Sequence, residues 1–154
     1  MKKKFFVIIL FLFTISCGFS PIYNASDLKD VNINVAKYSG DKDLNKLFSF
    51  NLKKYNKPEI ENIFNLNIST NYSKIVLSKN KSGSPENYNL ILSVKFEVSK
   101  QKFNKLITFN ETIELKNNDN KYEENTYERI VKENFTRNAI QKLILELRRI
   151  KNDI

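Results

Sequence analysis

Hydrophobic and polar residues alternate along most of this chain, and the places where the alternation changes period divide it into elements. Val31, Ile33 and Val35 alternate with Asn32, Asn34 and Ala36, the period of a half-buried strand. Ser39-Gly40-Asp41 then offers a turn and a helix N-cap, after which Leu44, Leu47, Phe48, Leu52 and Tyr55 recur at helical spacing until Pro58 forbids continuation. Phe64, Leu66, Ile68, Thr70 and Tyr72 share one side of a second strand that runs on toward Leu77. Ser78 to Asn87, with Ser82-Gly83-Ser84-Pro85 inside it, reads as a loop. Tyr88, Leu90, Leu92, Val94, Phe96 and Val98 alternate without a break as a third strand.

A basic turn around Lys100, Lys102 and Lys105 leads to a fourth strand, in which Ile107, Phe109, Ile113 and Leu115 share a face. Glu111 interrupts that face and implies a bulge or a sheet-edge position, because an unpaired buried carboxylate costs several kcal/mol. After a polar turn at 117–121, residues from about Glu123 to Lys151 turn helical, with Tyr127, Ile130, Val131, Phe135, Leu143, Ile144, Leu147 and Ile150 on one broad face. Glu123, Glu124 and Glu128 open this helix and Arg148, Arg149 and Lys151 close it, both favourable to the helix dipole. The order β-α-β-β-β-α predicts an α+β fold, a two-layer sandwich in which a four-stranded, mainly antiparallel sheet carries both helices on one face.

The other sheet face would then be uncovered. Asn65, Asn67, Ser69, Asn71, Asn89, Ser93, Asn110 and Thr112 fall on it, with Thr108. Amides and hydroxyls can be buried if paired, whereas charges are costly to desolvate. Such a face suits either solvent or a close-fitting polar cavity.

The first residues follow a different pattern. Lys2, Lys3 and Lys4 precede nine apolar residues, Phe5 to Phe13, and then Thr14-Ile15-Ser16-Cys17, the layout of a secretory signal. The run is well short of the roughly 20 residues that span a bilayer as a helix. Small Ser16 beside Cys17 fits signal cleavage before a lipidated cysteine, giving a signal peptide at 1–16, a lipidated tether at 17–30 and one domain at 31–154. An uncleaved anchor over Phe5 to Tyr23, holding the domain at the inner membrane, is the alternative; Pro21 and Asn24 oppose it. A lone Cys in an exported chain cannot form an internal disulfide, and lipidation accounts for it.

Composition narrows the chemistry. The 154 residues contain no His and no Trp, and a single Cys, so nucleophile–imidazole pairs and nitrogen–sulfur metal sites cannot be built. Neither an enzyme nor a cofactor is expected. The net charge of +9 falls to +6 once the three lysines of the leader are removed. That moderate excess makes a basic surface facing an anion a second possibility and does not call for nucleic acid.

The stretch Cys17-Gly18-Phe19-Ser20-Pro21-Ile22-Tyr23 resembles the start of mature LptE lipoproteins of the alphaproteobacterial form, C-G-F-x-P-L-Y. Ile22 replaces Leu, Asn24 replaces the small residue often next, and Thr14 stands where a lipoprotein signal usually has Leu. The order of elements is also similar. The resemblance implies an outer-membrane lipoprotein on the periplasmic side, acylated at Cys17 and sorted outward by Gly18. It further implies an LptD-like β-barrel partner whose lumen the polar sheet face would enter, and a role in lipopolysaccharide assembly. Lys79, Lys81, Lys100, Lys102 and Lys105 are then the candidate contacts to lipid A phosphates.

Overall fold

The computed structural model describes residues 31–57, 63–101 and 103–152. Signal, tether, Ser16 and Cys17 therefore lie outside the described residues, as do Pro58 and Lys102.

The elements are β1 (Asn32–Gly40), α1 (Lys42–Leu52) continued by a 3-10 turn (Lys53–Tyr55), β2 (Ile63–Lys79), β3 (Pro85–Lys100), β4 (Phe103–Lys116) and α2 (Lys121–Asn152). The sheet order is β1-β2-β3-β4, with β1 parallel to β2 and the other pairs antiparallel. The predicted order and fold class are those observed. A parallel first pair follows from a helical connection, and antiparallel pairs follow from tight turns.

Boundaries moved where pairing overrides local composition. The predicted loop at 78–87 shrinks to a turn at 80–84, because Lys79 pairs with Pro85 and Ser78 with Asn87. Pro85 is tolerated as the first residue of its strand, where it interrupts no ladder. Asn80 holds this turn, its side-chain oxygen accepting from the backbone N–H groups of Ser82 and Ser84 at 3.0 Å. The basic turn contracts likewise, Lys100 pairing with Phe103 and Gln101 taking a positive φ of 47°. β1 runs to Gly40 instead of stopping near Val35, with a register shift between Val35 and Lys37.

Asp41 caps α1 as expected, its carboxylate accepting from Leu44 N–H at 2.8 Å. The β1–α1 connection is tied to the middle of β2. Asp41 N–H donates to Thr70 O at 3.2 Å, and the buried Thr70 hydroxyl donates to the Asn45 side chain at 2.9 Å.

The core is the layer between sheet and helices: Phe64, Leu66 and Ile68 of β2, Leu90, Leu92, Val94, Phe96 and Val98 of β3, Leu44, Phe48 and Leu52 of α1, and Phe135, Leu143 and Leu147 of α2. Phe48 stands edge-on to both Phe96 and Phe135, at centroid distances of 5.7 and 6.4 Å. One helix residue set differs from expectation. Tyr127 and Ile130 remain 43% and 42% exposed, and the apolar contact of α2 begins at Val131. Among the described residues no helix is long and apolar enough to cross a membrane.

Candidate functional site: the uncovered sheet face

Strand alternation places Phe64, Leu66 and Ile68 under the helices, so their neighbours Asn65, Asn67 and Ser69 must point away. Register extends that face into continuous rows. Asn34, Asn65, Ser99 and Asn104 form one; Lys37, Asn67, Glu97 and Leu106 the next; Ser39, Ser69, Lys95 and Thr108 the third. Beyond β1 the rows continue as Asn71, Ser93 and Asn110, then Ser73, Ile91 and Thr112, then Ile75, Asn89 and Glu114. All eight residues assigned to the uncovered face are thus brought together on it. Asn89 and Ser93 are half-buried by their neighbours, the other six exposed.

The face is knitted by its own hydrogen bonds. Asn34 Nδ2 donates to Asn65 Oδ1 at 2.9 Å, the Ser39 and Ser69 hydroxyls meet at 2.8 Å, and Asn67 Nδ2 donates to Glu97 Oε2 at 3.2 Å. These bonds hold short side chains flat along the strands and leave further donor and acceptor capacity outward. Leu106, 61% exposed, and Ile75 and Leu77 interrupt the polar field. Leu106 also borders a shallow depression of about 430 Å³ with Asn67, Glu97 and Asn104. The chemistry offered is neutral hydrogen bonding with apolar contacts between, not a cluster of reactive groups.

The candidate lysines do not form one site. Lys79 and Lys81 stand at the β2–β3 hairpin tip, whereas Lys100 and Lys105 stand at the other end of β3. Sixteen residues of strand separate them, roughly 50 Å. Lys105 lies on the helix side of the sheet, donates to Glu146 at 2.9 Å, and holds that carboxyl below its usual range. Lys100 reaches over the Phe64 ring at 4.9 Å, also on the helix side. A single anionic headgroup cannot meet both groups.

A polar cluster missed in the sequence fixes the hairpin's outer half. Lys74 Nζ bridges Glu124 and Glu128 of α2, each at 2.5 Å, and the Tyr72 hydroxyl donates to Glu128. Burial alone would raise the Glu124 carboxyl, but Lys74, Lys121 and the Asn118 N–H outweigh it and hold it at about 2. Burial first, then the Glu128 contact, pushes the Tyr72 hydroxyl up. The signal was available in hindsight: Lys74 falls on the helix side of the β2 alternation, opposite Leu90, where a charge needs partners. A groove of about 740 Å³ between α1 and α2, bordered by Phe50 and Leu47, is rimmed by the ion pairs Lys132–Asp43 and Arg129–Glu133.

No family model matches the chain, and comparison with curated proteins gives no significant match. Solved structures do match. Rare lipoprotein B from Shewanella oneidensis superposes with a TM-score of 0.56 at 15% identity, over 77% of this chain and 99% of that one. A Caulobacter crescentus protein assigned as a lipoprotein superposes with a TM-score of 0.52 at 15% identity, over 79% of this chain and 90% of that one. At such identity the likeness is one of fold.

Proposed function

We propose that the chain is a non-enzymatic outer-membrane lipoprotein of the LptE type, anchored on the periplasmic side by acyl groups on Cys17. Its polar sheet face plugs the lumen of an LptD-like β-barrel and assists lipopolysaccharide assembly. The observation that carries the reading is the uncovered face, where eight neutral hydrogen-bonding residues converge and charge comes from Lys37, Lys95, Glu97, Glu114 and Lys116 at its margins and between the rows. Barrel interiors are polar and can be plugged, and a face of amides and hydroxyls can be desolvated there at low cost if paired. The leader and Cys17-Gly18-Phe19 support the anchor, and the lipoproteins sharing this fold agree with it. Lipopolysaccharide phosphates are assigned to Lys79 and Lys81 at the hairpin tip. Lys105 is occupied by Glu146, and Lys100 and Lys105 lie on the helix side.

The test is co-purification from the native envelope. The tagged parent is expected to bring down an outer-membrane barrel, to label with radioactive fatty acid, and to show a mass lacking its first sixteen residues; Cys17→Ala is expected to lose the label. A parent with an intact leader and no label overturns the anchor. Absence of any barrel overturns the plug.

A further inference from the structure

The sheet has three free edges, and two are blunted. β1 is short and carries a register shift at Val35/Lys37; the part of β2 that outruns β1 carries two more, around Ser78. β4 pairs with β3 over all fourteen of its residues without a shift and contains neither Pro nor Gly. An uninterrupted edge of this length is a template for another strand.

Its helix-facing side is also unfinished. Phe103, Ile107, Phe109 and Ile113 are only partly buried, although Phe96, Val94 and Leu90, the β3 partners of the last three, are fully buried. Between them Glu111 Oε2 is buried with no hydrogen-bond partner among the described residues. The expected bulge is absent, since Glu111 pairs regularly with Leu92, so the edge position is what the structure shows. An inward charge on an edge strand ordinarily repels additions. Here there are two such charges, Lys105 and Glu111, and their spacing selects a particular partner.

We propose that β4 pairs with β4 of a second copy of this chain, antiparallel about a two-fold axis at Thr108, giving a continuous eight-stranded sheet. In that register Lys105 faces Glu111 of the second copy, Ile107 faces Phe109 and Phe103 faces Ile113, each pair occurring twice. On the polar side Asn104 faces Thr112, Leu106 faces Asn110, and Thr108 faces itself. Centring the axis on Ile107 or Phe109 instead sets Lys105 and Glu111 against apolar side chains. The charges that reject other strands therefore accept this one. The orphan oxygen of Glu111 gains an ammonium partner, and Lys105 comes to lie between Glu146 and Glu111 of the second copy. A pairing of this length adds about ten backbone hydrogen bonds. The proposal goes beyond the plug reading and concerns the chain outside a lumen, where the β4 edge is free; a copy enclosed in a barrel would have given up this pairing.

The test uses the full chain in mild detergent. Thr108→Cys is expected to give a covalent dimer on mild oxidation, because directly opposed residues meet disulfide geometry. Leu106→Cys and Asn110→Cys alone should cross-link at least fivefold less, and their mixture should restore the yield. Lys105→Glu or Glu111→Lys should weaken dimerisation roughly tenfold or more in sedimentation, and the double swap should recover it. A parent that sediments as a monomer, or equal cross-linking at all three positions, overturns the pairing. A monomer that still co-purifies a barrel would overturn the pairing alone and leave the plug reading standing; a dimer with no barrel would do the reverse.

Discussion

At the scale of single residues, Gly40 and Lys74 show how a local choice is dictated from a distance. Gly40 has φ +93°, and a Cβ placed there would lie 1.8 Å from Thr70 O. Both the backbone conformation and the close approach require glycine. Gly40→Ala is expected to cost about 2 kcal/mol or more, read as a lower midpoint in denaturant. Lys74 sits between two carboxylates of α2, one of them, Glu124, 5% exposed. Lys74→Met leaves that charge without its main partner and should cost about 3 kcal/mol. Because the Glu124 carboxyl is depressed, its contribution is present above the ordinary glutamate range and is lost as pH falls toward about 2. Acid unfolding of the parent should therefore show a step below pH 4 that Glu124→Gln removes. Neither role is visible from neighbours in sequence, since Thr70 and Gly40 lie thirty positions apart, and Lys74 and Glu124 fifty.

At the scale of elements, period was a sound guide and boundaries were not. The alternation over Tyr88 to Val98 and the helical spacing from Val131 onward both correspond to observed elements, because burial of one face is what the pattern encodes. The ends moved because cross-strand partners extended β2, β3 and β4 into stretches that composition marks as loop. α2 shows the same limit. Its first turns, with Tyr127 and Ile130, follow the helical period but overhang the hairpin beyond α1, where charged and phenolic groups make the contact. Apolar support for α2 thus starts at Val131 and is strongest at Phe135, which packs edge-on to Phe48 and stacks on Phe109 at 5.3 Å. Phe135→Ala should cost about 3 to 5 kcal/mol, measured by chemical unfolding. A substitution at exposed Tyr122 should stay within about 0.5 kcal/mol.

At the scale of the whole molecule, two layers leave one sheet face without a cover, and that face carries the proposed function. Asn71→Lys with Asn110→Lys adds two charges to one row of it, on either side of Ser93. The expected result is nearly unchanged stability with loss of barrel co-purification, because the charges remain solvated in the free protein and must be desolvated in a lumen. Unfolding curves and pull-down together check this; retained co-purification would remove the face from the interface.

Fold class, element order and the membership of the polar face were legible in the residues, because alternation records which side of each strand meets the core whatever its neighbours are. The expectation of a signal leader and of a lipidated Cys17 rests on sequence alone, and those positions lie outside the described residues. What tertiary structure decided was which residues meet. The lysines named together as candidate phosphate contacts part to opposite ends of a long strand, and a lysine in the middle of β2 finds its acids on α2. The unblocked edge at β4 is likewise a product of strand order. Periodicity reports the face a side chain takes, but register and chain reversal, which depend on contacts distant in sequence, determine its company.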